Sequence, residues 1–280
     1  MDTTNFLSDN ANNIGVVALA AIATTIALQF LVSGSIQYRT RTEGLHLARR
    51  LQHATTGLLF YGISYTILGE KNWHIITIGI LFFFALVVYQ IHLWRLRNDR
   101  VRKFLAEAYA SILRERELKG GVPGAFYFLL GTACALTIAD VYESITGDVR
   151  AMKAVRLGLL YLSLGDPSAA IFGSLLASKK DEKSIIGSLT CFFVCFACSI
   201  LETRDLNLCV AGALIGTFSE RYSVYDDNLS IPVVSTIGIL ILFYFNVIIN
   251  NEKLGPMQWI NDLHVWLSGF VLWAKQLVSG

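Results

Sequence analysis

Charged side chains at membrane depth are costly, so in an otherwise apolar chain each one is a candidate for chemistry. Four short stretches of this sequence hold them. The first is Gly165-Asp166-Pro167-Ser168, which follows the apolar run 157–164 and precedes the small residues Ala169, Ala170, Gly173 and Ser174. Pro167 suits the first position of a new helix, with Asp166 as its N-cap. The same carboxylate suits Mg²⁺, a hard cation commonly held by one or two carboxylates plus substrate phosphates. The second stretch is Lys183-Ser184 with Gly187-Ser188, which supplies an ammonium, hydroxyls and free backbone N–H groups for a phosphate chain. With Lys179 and Lys180 it reads equally as a basic loop at the membrane surface; the Gly-x4-Gly-Lys spacing of a P-loop is absent.

The third stretch carries Glu220, Asp226 and Asp227, three carboxylates within eight residues. They could hold a divalent cation or accept a proton. Alternatively they form a turn that starts the span opening at Ile231-Pro232. The fourth is Arg49-Arg50-Leu51-Gln52-His53, where the arginines either contact phosphates or anchor a helix at the interface. Ala54-Thr55-Thr56-Gly57 behind His53 favours close packing and a buried histidine. His46, His74, His92 and His264 have no ligand spacing and are expected at the interfaces. Cys191-x3-Cys195-x2-Cys198 lies on one face of an apolar run, so packing explains it better than an iron–sulfur cluster. Gly212-x3-Gly216 is likewise read as helix packing.

The elements that must position these residues are membrane helices. Of the 280 residues 54% are hydrophobic and 16% charged, against roughly 45–50% and 25% in a soluble domain. Mean hydropathy is +0.53. Apolar runs long enough to span a bilayer occur at 14–36, 75–94, 123–141, 185–203 and 231–249, with shorter or interrupted ones at 53–69, 151–165 followed by 167–177, and 207–221. The expected fold is therefore all-α, a polytopic membrane bundle of about eight transmembrane helices (seven to nine), forming one integral membrane domain over 1–280. The segment 258–278 is expected to be an interfacial or ninth transmembrane helix. Residues 1–13 contain Asp2 and Asp9 but no Lys or Arg, so 14–36 reads as a retained span and not a cleaved signal.

Threading eight spans puts 16 of the 23 Lys and Arg on one side, in 37–52, 95–121, 178–184 and 220–230. The positive-inside rule makes that side cytoplasmic, and all four polar stretches fall on it. The stretch 95–119 reads as an amphipathic helix on that surface or as a solvated connector. Asn228-Leu229-Ser230, a formal glycosylation acceptor, is expected to stay unmodified there. A net charge of +2 and this sided distribution disfavour nucleic-acid binding. Five cysteines, all in apolar runs, argue against a disulfide framework.

Leu164-Gly165-Asp166-Pro167-Ser168-Ala169-Ala170-Ile171-Phe172-Gly173, then Lys183-Ser184-Ile185-Ile186-Gly187-Ser188, then Asp226-Asp227-Asn228-Leu229-Ser230-Ile231-Pro232-Val233-Val234-Ser235 resembles the signature of the CTP-dependent lipid kinases. That family holds polyprenol (dolichol) kinases, phytol kinases and the fungal CTP-dependent diacylglycerol kinase. Arg49-Arg50-x2-His53 resembles its Arg-Lys-x2-His element, and Glu115-Arg116-Glu117 with 124–131 resembles its next segment. The likeness runs over 49–235, the expected catalytic core. The short layout is most similar to the diacylglycerol kinase branch. Ser174 to Ser178 lead quickly to Lys179-Lys180, shorter than the family's insert.

The resemblance implies transfer of the γ-phosphoryl of CTP to diacylglycerol at the cytoplasmic face of an integral membrane protein, with the endoplasmic reticulum as the membrane. It implies catalytic roles for Asp166, Lys183, Glu220 and Asp227, and Mg²⁺ or another divalent cation on Asp166, Asp227 and Glu220. Nucleotide contacts would come from Arg49, Arg50, His53, Gly173, Ser184, Gly187, Ser188 and Asn228. A phytol or polyprenol kinase with the same nucleotide site, and a catalytically inactive membrane scaffold, are the alternatives.

Overall fold

The computed structural model describes residues 47–67, 71–109, 113–176, 183–203, 205–223 and 225–250, and every regular element among them is helical. In chain order these are α1 (Leu47–Ile67), α2 (Lys71–Arg97), α3 (Asp99–Ala108), the single turn α4 (Glu115–Leu118), α5 (Gly124–Thr146) and α6 (Ala151–Leu160). A π-helical turn (Tyr161–Gly165) joins α6 to α7 (Asp166–Leu176), and α8 (Ile185–Glu202), α9 (Leu206–Arg221) and α10 (Asp227–Asn250) follow. Among the described residues five helical stretches are long and apolar enough to cross a bilayer: His74–Arg97, Gly124–Thr146, Ala151–Leu176, Ile185–Glu202 and Asp227–Phe245. The expected helical class and these five runs are borne out. The expected segments 14–36 and 258–278, with His46 and His264, lie outside the described residues.

The π-helical turn is the hub. It contacts α1, α8, α9 and α10 as well as its own flanks, and Tyr161 and Leu162 within it are fully buried. Tyr161 packs where α9 has no side chains: a Cβ on Gly212 would lie 2.7 Å from its hydroxyl, and one on Gly216 2.6 Å from its ring. The hydroxyl shares a 2.6 Å hydrogen bond with Ser199 of α8. Cys191, Cys195 and Cys198 are buried free thiols behind this turn, which agrees with their reading as packing residues. Helix α1 seats directly on the turn because Gly57 lacks the Cβ that would collide with the Ser163 side chain. At the other end of α8, Glu202 accepts from Arg156 of α6 at 3.1 Å and from the Tyr61 hydroxyl of α1 at 2.9 Å. That buried pair ties three helices together with its charges satisfied inside the chain.

Four local expectations are corrected. Asp166 is not an N-cap: its φ of −61° and ψ of −50° are helical, and its N–H donates to the Tyr161 carbonyl. Pro167 removes an N–H and crowds the preceding turn, and the chain absorbs this by widening to a π turn instead of stopping. The Ser168 hydroxyl donates to the Gly165 carbonyl at 2.7 Å. Helix α10 does not open at Ile231-Pro232 either; it begins at Asp227 with Pro232 inside it. The reason is a cap, since Asp226 Oδ1 accepts from the Asn228 N–H at 2.9 Å.

The expected single amphipathic helix over 95–119 is broken. The Asn98 side chain accepts from the Arg100 and Val101 N–H groups, ending α2 and starting α3. His74 and His92 are buried, not interfacial. His74 Nδ1 pairs with Asp140 at 3.0 Å, and His92 Nδ1 accepts from Arg95 Nε at 3.2 Å.

Gly216→Val should lower the stability of the purified chain in detergent by about 1–3 kcal/mol through overpacking against Tyr161. Gly62→Ala, where a Cβ meets nothing within 4 Å, should leave it unchanged. Thermal unfolding of the two variants side by side checks the packing.

Candidate functional site

The polar end of the bundle gathers residues from six segments. Lys183, just before α8, is the organising cation. Its Nζ lies 3.1 Å from Glu220 Oε1 at the end of α9 and 2.9 Å from Asp227 Oδ1 at the start of α10. It also donates to the Glu220 carbonyl and, at 3.2 Å, to the Ser223 hydroxyl. Ser223 itself donates to Asp227. Glu220 is buried, and α9 delivers it there because Gly212 and Gly216 let the helix approach Tyr161. Burial pulls the Lys183 ammonium down, but Asp227 and then Glu220 outweigh it, so its pKa lies above the ordinary value. The stabilisation from this proton is complete below the free-lysine value of about 10.4 and is lost as pH rises through the folded value.

Asp166 stands beside this group. It is half-buried and lies in the field of the Asp227 and Glu220 carboxylates and of Arg114 and Lys183. Its side chain makes no hydrogen bond among the described residues. From α1, Arg49 and Arg50 both feel its charge. Arg50 Nη2 donates to Ser174 of α7 at 3.3 Å, while its Nε and Nη1 are buried without an acceptor among the described residues. His53 Nε2 donates to the Leu162 carbonyl at 3.2 Å, and its ring meets Phe128 edge-on. That bond commits Nε2–H to the π turn and leaves Nδ1 as the acceptor nitrogen.

The other expected nucleotide contacts already have partners within the chain. Ser184 is the N-cap of α8, its hydroxyl accepting from the Gly187 N–H at 3.0 Å. Ser188 accepts from Arg221 Nη1 at 2.9 Å. Gly173 and Gly187 hold α7 and α8 together, since a Cβ on Gly173 would meet Ser184 Oγ at 3.0 Å and one on Gly187 the Ala169 carbonyl at 2.8 Å. Asn228 is buried; its Nδ2 donates to the Gly124 carbonyl at 2.9 Å, and its Oδ1 has no donor among the described residues.

Two features escaped the sequence reading. Of the adjacent carboxylates, Asp226 points away from Lys183 and is fully buried between Arg114, at 2.9 Å, and Arg116. Glu117 is also buried, accepting from the Arg114 N–H at 3.3 Å and the Gly124 N–H at 2.9 Å, which caps α5. Only the Glu115-Arg116-Glu117 likeness flagged this segment, because a one-turn helix has no periodicity to read.

Among the described residues no group of three or more His, Cys, Asp or Glu is arranged to hold a metal ion. Asp166, Glu220 and Asp227 bring hard oxygen donors to this end, two of them paired with Lys183.

No family model matches the chain, and no solved structure matches it. The chain is similar to an uncharacterized protein of Rickettsia prowazekii (strain Madrid E), 26% identical over 177 residues that cover 59% of this chain and 81% of the relative.

Replacing Asp226 by Ala should destabilise the protein by about 1–3 kcal/mol, since it takes the carboxylate from the partly exposed Arg114 and Arg116 and removes the α10 cap. Asp227→Asn should cost far less, because the half-exposed Lys183 keeps Glu220. Unfolding in detergent, with Asp226→Asn as the variant that keeps the cap, separates the two carboxylates.

Proposed function

We propose that this protein is an integral membrane lipid kinase that transfers the γ-phosphoryl of CTP to the hydroxyl of diacylglycerol, giving phosphatidate and CDP. The observation that carries this reading is the Arg50 guanidinium, buried with two unaccepted N–H donors in the field of Asp166. A buried cation with free donors calls for an anion. Lys183 and the half-buried Arg49 add positive charge at the same end. Phosphoryl transfer is mainly positioning and charge neutralisation, and these are the parts such a site requires.

In this mechanism Arg49, Arg50 and Lys183 hold the donor's phosphates. The lipid hydroxyl oxygen bonds to the γ-phosphorus, the bond from that phosphorus to the β–γ bridging oxygen breaks, and CDP leaves. The hydroxyl proton passes to a carboxylate of the cluster, Asp227 or Glu220. A divalent cation held by Asp166 with Asp227 and Glu220 would offset charge on the transferring phosphates. The acyl chains lie along the apolar helices, whose outer faces leave residues such as Ile185, Leu189 and Phe193 exposed. Eight crossings would place this end in the cytoplasm, and the endoplasmic reticulum is the membrane the family likeness suggests.

The test is phosphate transfer by the purified full-length chain in detergent–lipid micelles. Labelled CTP or ATP with Mg²⁺ is offered against diacylglycerol, phytol and dolichol. The expected product is phosphatidate, from CTP and diacylglycerol. Asp166→Asn and Arg50→Gln should each lower the rate by roughly 100-fold or more while melting like the parent. Product from an isoprenoid alcohol alone moves the substrate to that class; no product from any pair with folded protein overturns the kinase reading.

A further inference from the structure

Beside the polar site, the junction of α2 and α3 forms a second concave surface. Asn98 turns the chain so that α3 folds back against the end of α2. Between the two lies a groove of about 460 Å³ lined by Ile91, Trp94, Arg100, Val101, Phe104 and Leu105. That volume falls within the roughly 300–1,000 Å³ of ligand sites, and Arg100 is its one charged wall. Trp94 is 59% exposed and Phe104 67%, and α3 contributes no buried residue to the bundle.

The position and charge of this groove decide its occupant. It sits where a helix long enough to span the bilayer ends, at the depth where tryptophan concentrates and amphipathic helices lie. Arg95 fixes it to the polar end of the bundle by donating to the Gly121 carbonyl at 2.5 Å. Arg97, Arg100, Arg102 and Lys103 lie within seven residues at this junction, and among the described residues only Arg102 has an acidic partner there, Asp99 at 2.8 Å. We infer that the α2–α3 groove binds an anionic phospholipid, with an acyl chain along Ile91, Trp94, Val101, Phe104 and Leu105 and the phosphate on Arg100, within the positive field of Arg97, Arg102 and Lys103. A zwitterionic lipid would fill the apolar groove but leave the excess positive charge unmatched. This inference stands apart from the kinase reading and uses none of its residues.

Trp94 supplies the reporter. The full-length protein is reconstituted in phosphatidylcholine bilayers containing a fixed fraction of acyl-brominated phosphatidylglycerol or brominated phosphatidylcholine. Quenching at Trp94 is taken as the difference between the parent and Trp94→Phe. Brominated phosphatidylglycerol should quench Trp94 several-fold more effectively at low salt, and the preference should shrink as salt rises. Arg100→Gln and Lys103→Gln should each weaken it about fivefold, and, since both side chains are exposed, unfolding in detergent should be unchanged. Equal quenching by the two lipids, or a preference indifferent to both substitutions, overturns the proposal. So does protection of Trp94 from both lipids, which would mean that a protein covers the groove.

Discussion

In a bundle this poor in charge, an ion at a helix end has to be neutralised by something a few ångströms away, and the whole polar end is arranged around that requirement. Lys183 meets it for two carboxylates from two different helices at once. The ammonium thereby ties the end of α9 and the start of α10 to the segment that opens α8. Helix ends in a membrane protein are usually placed by their hydrophobic length, which allows some slip. Here a single cation removes that freedom, so the register of three helices and the geometry of the carboxylates are one problem with one solution.

Asp226 and Asp227 divide the labour that their adjacency would seem to blur. Successive residues at the opening of a helix point in different directions, and the two carboxylates exploit this. Asp226 faces Arg114 and Arg116 and clamps the segment before α5 to α10. Asp227 faces Lys183 and the open cluster. In the clamp the carboxylate is fully buried and its arginines reach toward the surface, whereas in the cluster it is the Lys183 ammonium and Asp227 that keep partial exposure. Arg50 lies between these regimes, with one donor bonded and two idle.

Much of this was legible beforehand, for identifiable reasons. The spans follow from composition and run length alone, and the expected runs 75–94, 123–141, 185–203 and 231–249 each fall on a helix suited to crossing a membrane. Asp166, Lys183, Glu220 and Asp227 were singled out because charge is rare in such a chain, and the fold does bring them together. What failed was local. Ser184, Gly187 and Ser188 look like a phosphate cradle in one dimension, yet their polar atoms are taken up by a helix cap and by Arg221. His74 and His92 found buried partners, Asp140 and Arg95, far from them in sequence or hidden by burial. The His74 pairing depends on which helices touch, and no spacing rule reports that; His92 and Arg95, three residues apart on α2, share a helix face.

The π turn before Pro167 carries one further consequence. Each residue advances an α-helix by about 100°, and a wide turn lodges an additional residue without lengthening the path by a full step. Everything after Gly165 is therefore rotated relative to a straight continuation of α6. Removing any one residue from 161–165 would turn everything that follows by about 100° relative to α6. It would also swing Asp166 away from Lys183 and carry Gly173 off the Ser184 cap. The aim of the central carboxylate is thus set by a count of residues in the chain, and a deletion that preserved every side chain of the site would still disperse it.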